Sequence, residues 1–131
     1  MLLAVDHVQI TIPKGADEKA LEFYGSFLGL KQIEKPENRR KNGGFWLALG
    51  DTQIHVGTED GVDRTKTKAH VAYRVDNLQL WREKLEKINL ECYDSPPFPN
   101  ARAFEFRDPF GNRVELIELT NGLLTKVHGI R

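Results

Sequence analysis

Two periodicities alternate along the chain, and the alternation happens twice. From Ala4 to Ile12 the spacing is two. Ala4, Asp6, Val8, Ile10 and Ile12 share one side, and Val5, His7, Gln9 and Thr11 share the other, which predicts a strand with a largely apolar face and a polar one. Pro13 ends it. From Asp17 to Leu28 the spacing becomes helical, with Ala20, Leu21, Phe23, Tyr24, Phe27 and Leu28 in one stripe, acidic residues at the start and Gly29 as the stop. A short strand is expected over Leu30 to Glu34, then a charged loop over Pro36 to Asn42. Gly44 to Leu49 and Thr52 to Val56 form a hairpin across Gly50-Asp51. Its second strand puts Ile54 and Val56 on one face and Gln53, His55 and Gly57 on the other.

Thr58 to Lys68 is polar and aperiodic and reads as a linker, after which the pattern restarts. Ala69 to Val75 is a strand with His70, Ala72 and Arg74 on one side and Val71, Tyr73 and Val75 on the other. Asp76 with Gln79 three places on resembles a capping box, followed by the stripe Leu78, Trp81, Leu85 and Ile88. Leu90 to Tyr93 is a short strand and Ser95 to Asn100 a proline-rich loop. Ala103 to Arg107 and Asn112 to Leu119 close the second half as a hairpin. The turn Asp108-Pro109-Phe110-Gly111 leads into Val114, Leu116 and Glu118 on one face and Arg113, Glu115, Ile117 and Leu119 on the other. Residues from Thr120 on form a tail, and His128 within it reads as a surface residue.

Each half therefore has the order strand, helix, three strands. The expected fold is α+β: two tandem βαβββ modules, about residues 4–57 and 69–119 of one domain spanning 1–131, forming a curved, cleft-bearing mixed sheet with helices on its outer face. Neither module has enough core to stand alone.

Composition narrows the function classes. The chain has 131 residues, with 19 Lys and Arg against 19 Asp and Glu. This balance offers no field for nucleic acid or an anionic membrane. No apolar run reaches the length of a membrane span. A single Cys92 excludes an intrachain disulfide and suits a reducing compartment, so a cytoplasmic protein is expected.

The candidate chemistry lies on the polar faces of four strands. Glu115 sits in mid-strand between apolar neighbours, where a carboxylate needs a cation. His7, His55 and His70 occupy like faces of three other strands. A hydrogen-bonded cluster without metal, or Glu115 paired with Arg74 or Arg102, satisfies the same pattern. With a metal, a His and carboxylate set suits Zn, Fe, Mn, Ni or Co. Gln9 and Gln53 are placed to support such a site or to meet substrate; Arg74 and Arg102 are candidates for a substrate carboxylate or phosphate. Phe45, Trp46, Phe104 and Phe106 read either as cleft lining or as core. The basic run Arg39-Arg40-Lys41 reads as a solvated loop, with a lid over an anionic substrate as its alternative.

The paired modules, the Asp6-His7-Val8 opening, the Phe23-Tyr24 helix ending at Leu28-Gly29-Leu30 and the Asp108-Pro109-Phe110-Gly111-Asn112…Glu115 ending resemble the vicinal oxygen chelate superfamily. That family includes glyoxalase I, extradiol dioxygenases, fosfomycin-resistance enzymes and bleomycin-resistance proteins. The resemblance implies a divalent metal held by His7, His55, His70 and Glu115, with Glu115 also catalytic. Glyoxalase I members usually place a Glu where His55 stands; fosfomycin-resistance and extradiol members use a His, His, Glu set that His7, His70 and Glu115 match. The implied protein is a homodimeric lyase, isomerase or dioxygenase acting on a small metal-chelated substrate. The rival is a metal-free protein that sequesters a small molecule.

Overall fold

The computed structural model describes residues 1–120; the tail beyond, with His128, lies outside the described residues. The chain divides into two compact units, Met1–Val62 and Asp63–Arg131. Each carries its own four-stranded mixed sheet.

In the first unit, β1 (His7–Ile12) lies parallel to β4 (Thr52–Thr58), which pairs antiparallel with β3 (Phe45–Leu49), and β2 (Lys31–Ile33) takes the edge. The apolar sides of these strands meet the helix. Ile12, Ala20, Phe23, Tyr24, Phe45, Leu47, Ile54 and Val56 are all buried. Burying each of the larger side chains contributes about 1.5–3 kcal/mol.

The stretch expected to be a uniform helix is not one. Only α1 (Asp17–Leu21) is α-helical, and Glu22–Phe27 continues as a π-helical turn. The wider turn carries an aromatic cluster. Phe23 stacks on Phe27 at 5.6 Å and meets Tyr24 edge-on at 5.1 Å, so both buried rings of the Phe23-Tyr24 pair find neighbours. The segment stops at Gly29, whose φ of +88° only glycine adopts freely. The charged stretch after Pro36, read as an irregular loop, forms a 3-10 helix over Glu37–Asn42. Gly44 closes it: a Cβ there would lie 2.0 Å from the Val56 carbonyl oxygen. Asp17 accepts the Gly44 N–H at 2.7 Å, tying this loop to the helix start.

The second unit repeats the arrangement with β5 (His70–Arg74) parallel to β8 (Arg113–Leu119), then β7 (Ala101–Arg107) and β6 (Tyr93–Asp94). Tyr73, Leu85, Phe104, Phe106, Val114 and Leu116 are its buried residues on the helix side. The linker expected over Thr58 to Lys68 is more structured than its composition implies. Thr58 still belongs to β4, and Arg64–Lys66 makes a 3-10 turn capped by Asp63, with Arg64 buried. The short strand before the proline-rich loop comes later than expected, because Ile88, Asn89 and Leu90 spend their N–H groups on the last carbonyls of the helix.

Helix α2 (Leu78–Lys87) starts one residue later than a cap at Asp76 would require. Asn77 is the cap: its side chain accepts the Leu80 N–H at 3.0 Å. Replacing Asn77 with Ala is expected to cost about 1 kcal/mol in urea unfolding, whereas Asp76→Ala is expected to cost less.

A second anchor comes from β8. Glu118 accepts the Leu78 N–H at 2.7 Å and pairs with Arg102 at 3.0 Å. The backbone bond from Leu78, then Arg102, holds the Glu118 carboxyl below its ordinary pKa of 4.5. A depressed carboxyl stabilises the fold above its unfolded pKa and loses that contribution as pH falls through the folded value. The stability gap between wild type and Glu118→Gln is thus expected to be full well above pH 4.5 and to shrink as pH falls below 4.5, as read by urea melts across that range.

Candidate metal centre

On the face of the first sheet opposite its helix, the parallel register sets His7 beside Gln53 and Gln9 beside His55, while β3 sets Trp46 against His55. Residues paired in register point to the same side, so the three rings stack. His7 and His55 lie 4.0 Å apart at 15°, and His55 and Trp46 lie 3.8 Å apart at 2°. His55 is the middle layer and is buried. Its Nε2 donates to the Gln53 side-chain oxygen at 2.9 Å. Burial, and next the neighbouring His7, lower its pKa below that of a free imidazole. His7 is held differently. Its Nδ1 donates to the Asp6 carboxylate at 3.0 Å, which leaves Nε2 as the ring's open nitrogen. A carboxylate behind a histidine in this way orients imidazole ligands at metal sites. Gln9 shares this face, and its amide nitrogen lies where a Cβ on Gly57 would be, 2.6 Å away.

In the second unit, Ala72 and Glu115 are register partners, with Glu105 across from Glu115 on the other side. Two carboxylates directly opposite repel. Each has its own counter-group. Arg113 donates to Glu105 through Nε at 3.0 Å and through a terminal nitrogen at 2.6 Å. Glu115, with a side chain only 13% exposed, has the His70 Nε2 3.4 Å from one oxygen and the Ser95 hydroxyl donating to the other at 3.0 Å.

The tautomer of His70 decides what that pair can do. Its Nδ1 lies 2.9 Å from the Lys68 carbonyl oxygen. A carbonyl only accepts, so Nδ1 carries the hydrogen, and a neutral His70 turns the Nε2 lone pair toward the Glu115 carboxylate. Two electron pairs facing each other call for a cation between them, either a proton or a metal ion. At 3.4 Å the two groups are close enough to share one proton or one cation. The donor pair therefore fits a divalent transition metal. Among the described residues, neither unit gathers three or more His, Cys, Asp or Glu side chains into one group.

The remaining candidates fall elsewhere. Neither Arg74 nor Arg102 is the partner of Glu115. Arg74 is an exposed residue at the end of β5. Arg102 shares the helix-covered face with Phe104 and Phe106, opposite the face of Glu115, and is committed to Glu118. Phe104 and Phe106 are core, as is Phe45, whereas Trp46 belongs to the histidine stack. Sequence reasoning did not pick out Asp6, Lys68 or Ser95 as contributors. Asp6 carried a signal, a carboxylate beside a strand histidine. Lys68 and Ser95 carried none, because one acts through its backbone and the other arrives from a loop 20 residues before Glu115.

The profile of the Glyoxalase/Bleomycin resistance protein/Dioxygenase superfamily matches residues 4–116. No curated protein matches. Among solved structures, a glyoxalase family protein from Bacillus anthracis is 37% identical, with a TM-score of 0.82 over 91% of this chain and 97% of that one. Lactoylglutathione lyase from Agrobacterium tumefaciens is 16% identical, with a TM-score of 0.66 over 88% and 92%. The fosfomycin resistance protein FosX from Listeria monocytogenes, complexed with Mn(II) and sulfate, is 14% identical, with a TM-score of 0.71 over 98% and 99%. At such identities the last two share the fold.

Proposed function

Because the chain belongs to the Glyoxalase/Bleomycin resistance protein/Dioxygenase superfamily, we propose that it is a metal-dependent enzyme of the glyoxalase or dioxygenase type. His70 and Glu115 would hold a divalent transition metal. The substrate is a small molecule with neighbouring oxygens. The observation that carries this reading is the His70 Nε2 lone pair aimed at the Glu115 carboxylate 3.4 Å away.

The bound metal supplies Lewis acidity, which lowers the cost of an enolate or oxyanion on substrate oxygens. The chain's own residues prepare the site. The Lys68 carbonyl fixes the His70 tautomer and the direction of its ring. Ser95 occupies one oxygen of Glu115 and so orients the other toward His70. Asp6 orders His7 as Lys68 orders His70. His55, tied to Gln53 and sandwiched between two rings, acts as the platform that keeps His7 in position.

Metal analysis tests this reading. Protein stripped with chelator, desalted and dialysed separately against Mn, Fe, Co, Ni and Zn is expected to take up at least one of them stoichiometrically. Failure to take up any would overturn it and favour the metal-free binding protein.

A further inference from the structure

We propose that the first unit binds a small molecule with an anionic oxygen group, of the carboxylate or phosphate kind, which Arg39 and Lys35 receive beside the His7–His55–Trp46 stack.

The argument begins with a cavity in the first unit. It encloses about 470 Å³ and is lined by Arg39, Lys35, Gln9 and Gln53 together with the three stacked rings. That volume suits a small molecule. Two cations stand in its wall against one carboxylate, Asp6, whose oxygen already accepts the His7 N–H.

Neither cation is neutralised. The Lys35 ammonium reaches the Gly43 carbonyl at 2.6 Å and has no carboxylate partner among the described residues. The backbone N–H of Arg39 donates to the Pro36 carbonyl at 2.8 Å, while its guanidinium lines the cavity and has neither hydrogen-bond nor ion-pair partner among the described residues. The adjacent Arg40 has a different role: it donates to the Lys35 carbonyl at 3.1 Å and lies 3.9 Å from Glu34. Arg40 thus braces the 3-10 segment while Arg39 stays available. The far end of the segment is fixed by Asp17 on the Gly44 N–H. The cations are carried on an anchored element, which reduces the ordering cost of binding.

The larger cavity of the second unit, about 610 Å³, also contains two arginines, Arg82 and Arg102. These are already paired, with Asp94 and with Glu118. Of these two cavities, the first is the one whose cations have no carboxylate partner among the described residues. A guanidinium and an ammonium converging on a small cleft, with neutral amides beside them, recognise oxyanions.

The test reads Trp46 fluorescence in a Trp81→Phe background, on protein stripped of metal and desalted. Inorganic phosphate and acetate are titrated separately, each against sodium chloride at equal ionic strength. At least one is expected to give a saturable change that chloride does not give, and the one that saturates identifies the anion class. Arg39→Ala and Lys35→Ala are each expected to weaken it about tenfold or more, with Arg39→Lys intermediate and Arg74→Ala unchanged. No saturable change with either anion, or saturation indifferent to Arg39→Ala, would overturn the proposal. Arg39→Ala is expected to keep stoichiometric metal uptake. The anion titration needs no metal, so its outcome stands apart from that of the metal reading.

Discussion

Glu115→Gln is expected to lower metal affinity by about 100-fold or more and to leave the fold intact. The substitution keeps the shape of the side chain and an oxygen for the Ser95 hydroxyl, but removes the charge that faces His70 Nε2. A neutral amide in that place no longer balances a divalent ion. His70→Asn is expected to produce a comparable loss. His55→Asn is expected to lose far less, because its Nε2 is engaged by Gln53 and its ring supports rather than ligates. Competition against a chromophoric chelator gives the affinities, and urea unfolding checks the fold. Equal affinity in wild type and Glu115→Gln would remove Glu115 from the ligand set. Unfolding of Glu115→Gln in the absence of denaturant would show that the carboxylate is structural. The order of the three variants also separates a specific centre from loose binding by surface histidines, for which all imidazoles would count alike.

The second large effect is on stability. Asp108→Ala is expected to cost about 3 kcal/mol in urea unfolding. Asp108 is 3% exposed and organises the turn into β8. One oxygen accepts the Phe110 N–H at 2.9 Å and the Asn112 N–H at 2.8 Å, and the other accepts the Asn112 side-chain amide at 3.0 Å. Alanine would strand these donors without returning them to water. Asp108→Asn is expected to recover about half of the loss. Its amide oxygen can serve the two backbone donors, while its NH₂ group would face the donating side chain of Asn112. The same variants carry a spectroscopic readout. Burial, and then the charge of Asp108, push the Tyr73 hydroxyl up to about 12. Removing the charge is expected to lower that value, with burial still holding it above the ordinary 10.0 of tyrosine. A Tyr73 titration that does not move in Asp108→Asn would deny the electrostatic link. A cost below about 1 kcal/mol for Asp108→Ala would mean that water replaces the carboxylate.

What could be read from the chain alone was whatever depends on near neighbours in sequence. Side chains alternate across a strand with period two, so the faces of β1, β4, β5 and β8 followed once the strands were recognised. The turn before β8 was legible because Pro109 and Gly111 act on their own backbone. The placement of His7, His55, His70 and Glu115 on like faces of their strands came from the same local rules. Local rules also failed where two residues were equally fit for a role. Asp76 and Asn77 are both cap-type residues, and in the structure it is Asn77 whose side chain accepts the Leu80 N–H.

Tertiary structure decided which side chains meet. Glu115 had three candidate partners in sequence terms, an arginine, a histidine or an ion. The pairing of β5 with β8 brought His70 to it, and the loop before β7 brought Ser95. Arg102 went to the opposite face because alternation along β7 binds it to the side of Phe104 and Phe106. His55 became the centre of a ring stack because β3 delivers Trp46 and β1 delivers His7 to its two sides. Composition foretells none of these meetings, since strand register is set by contacts between segments far apart along the chain. The sequence by itself determined which residues face the same way; the tertiary fold decided which of them touch, because alternation is local and register is not.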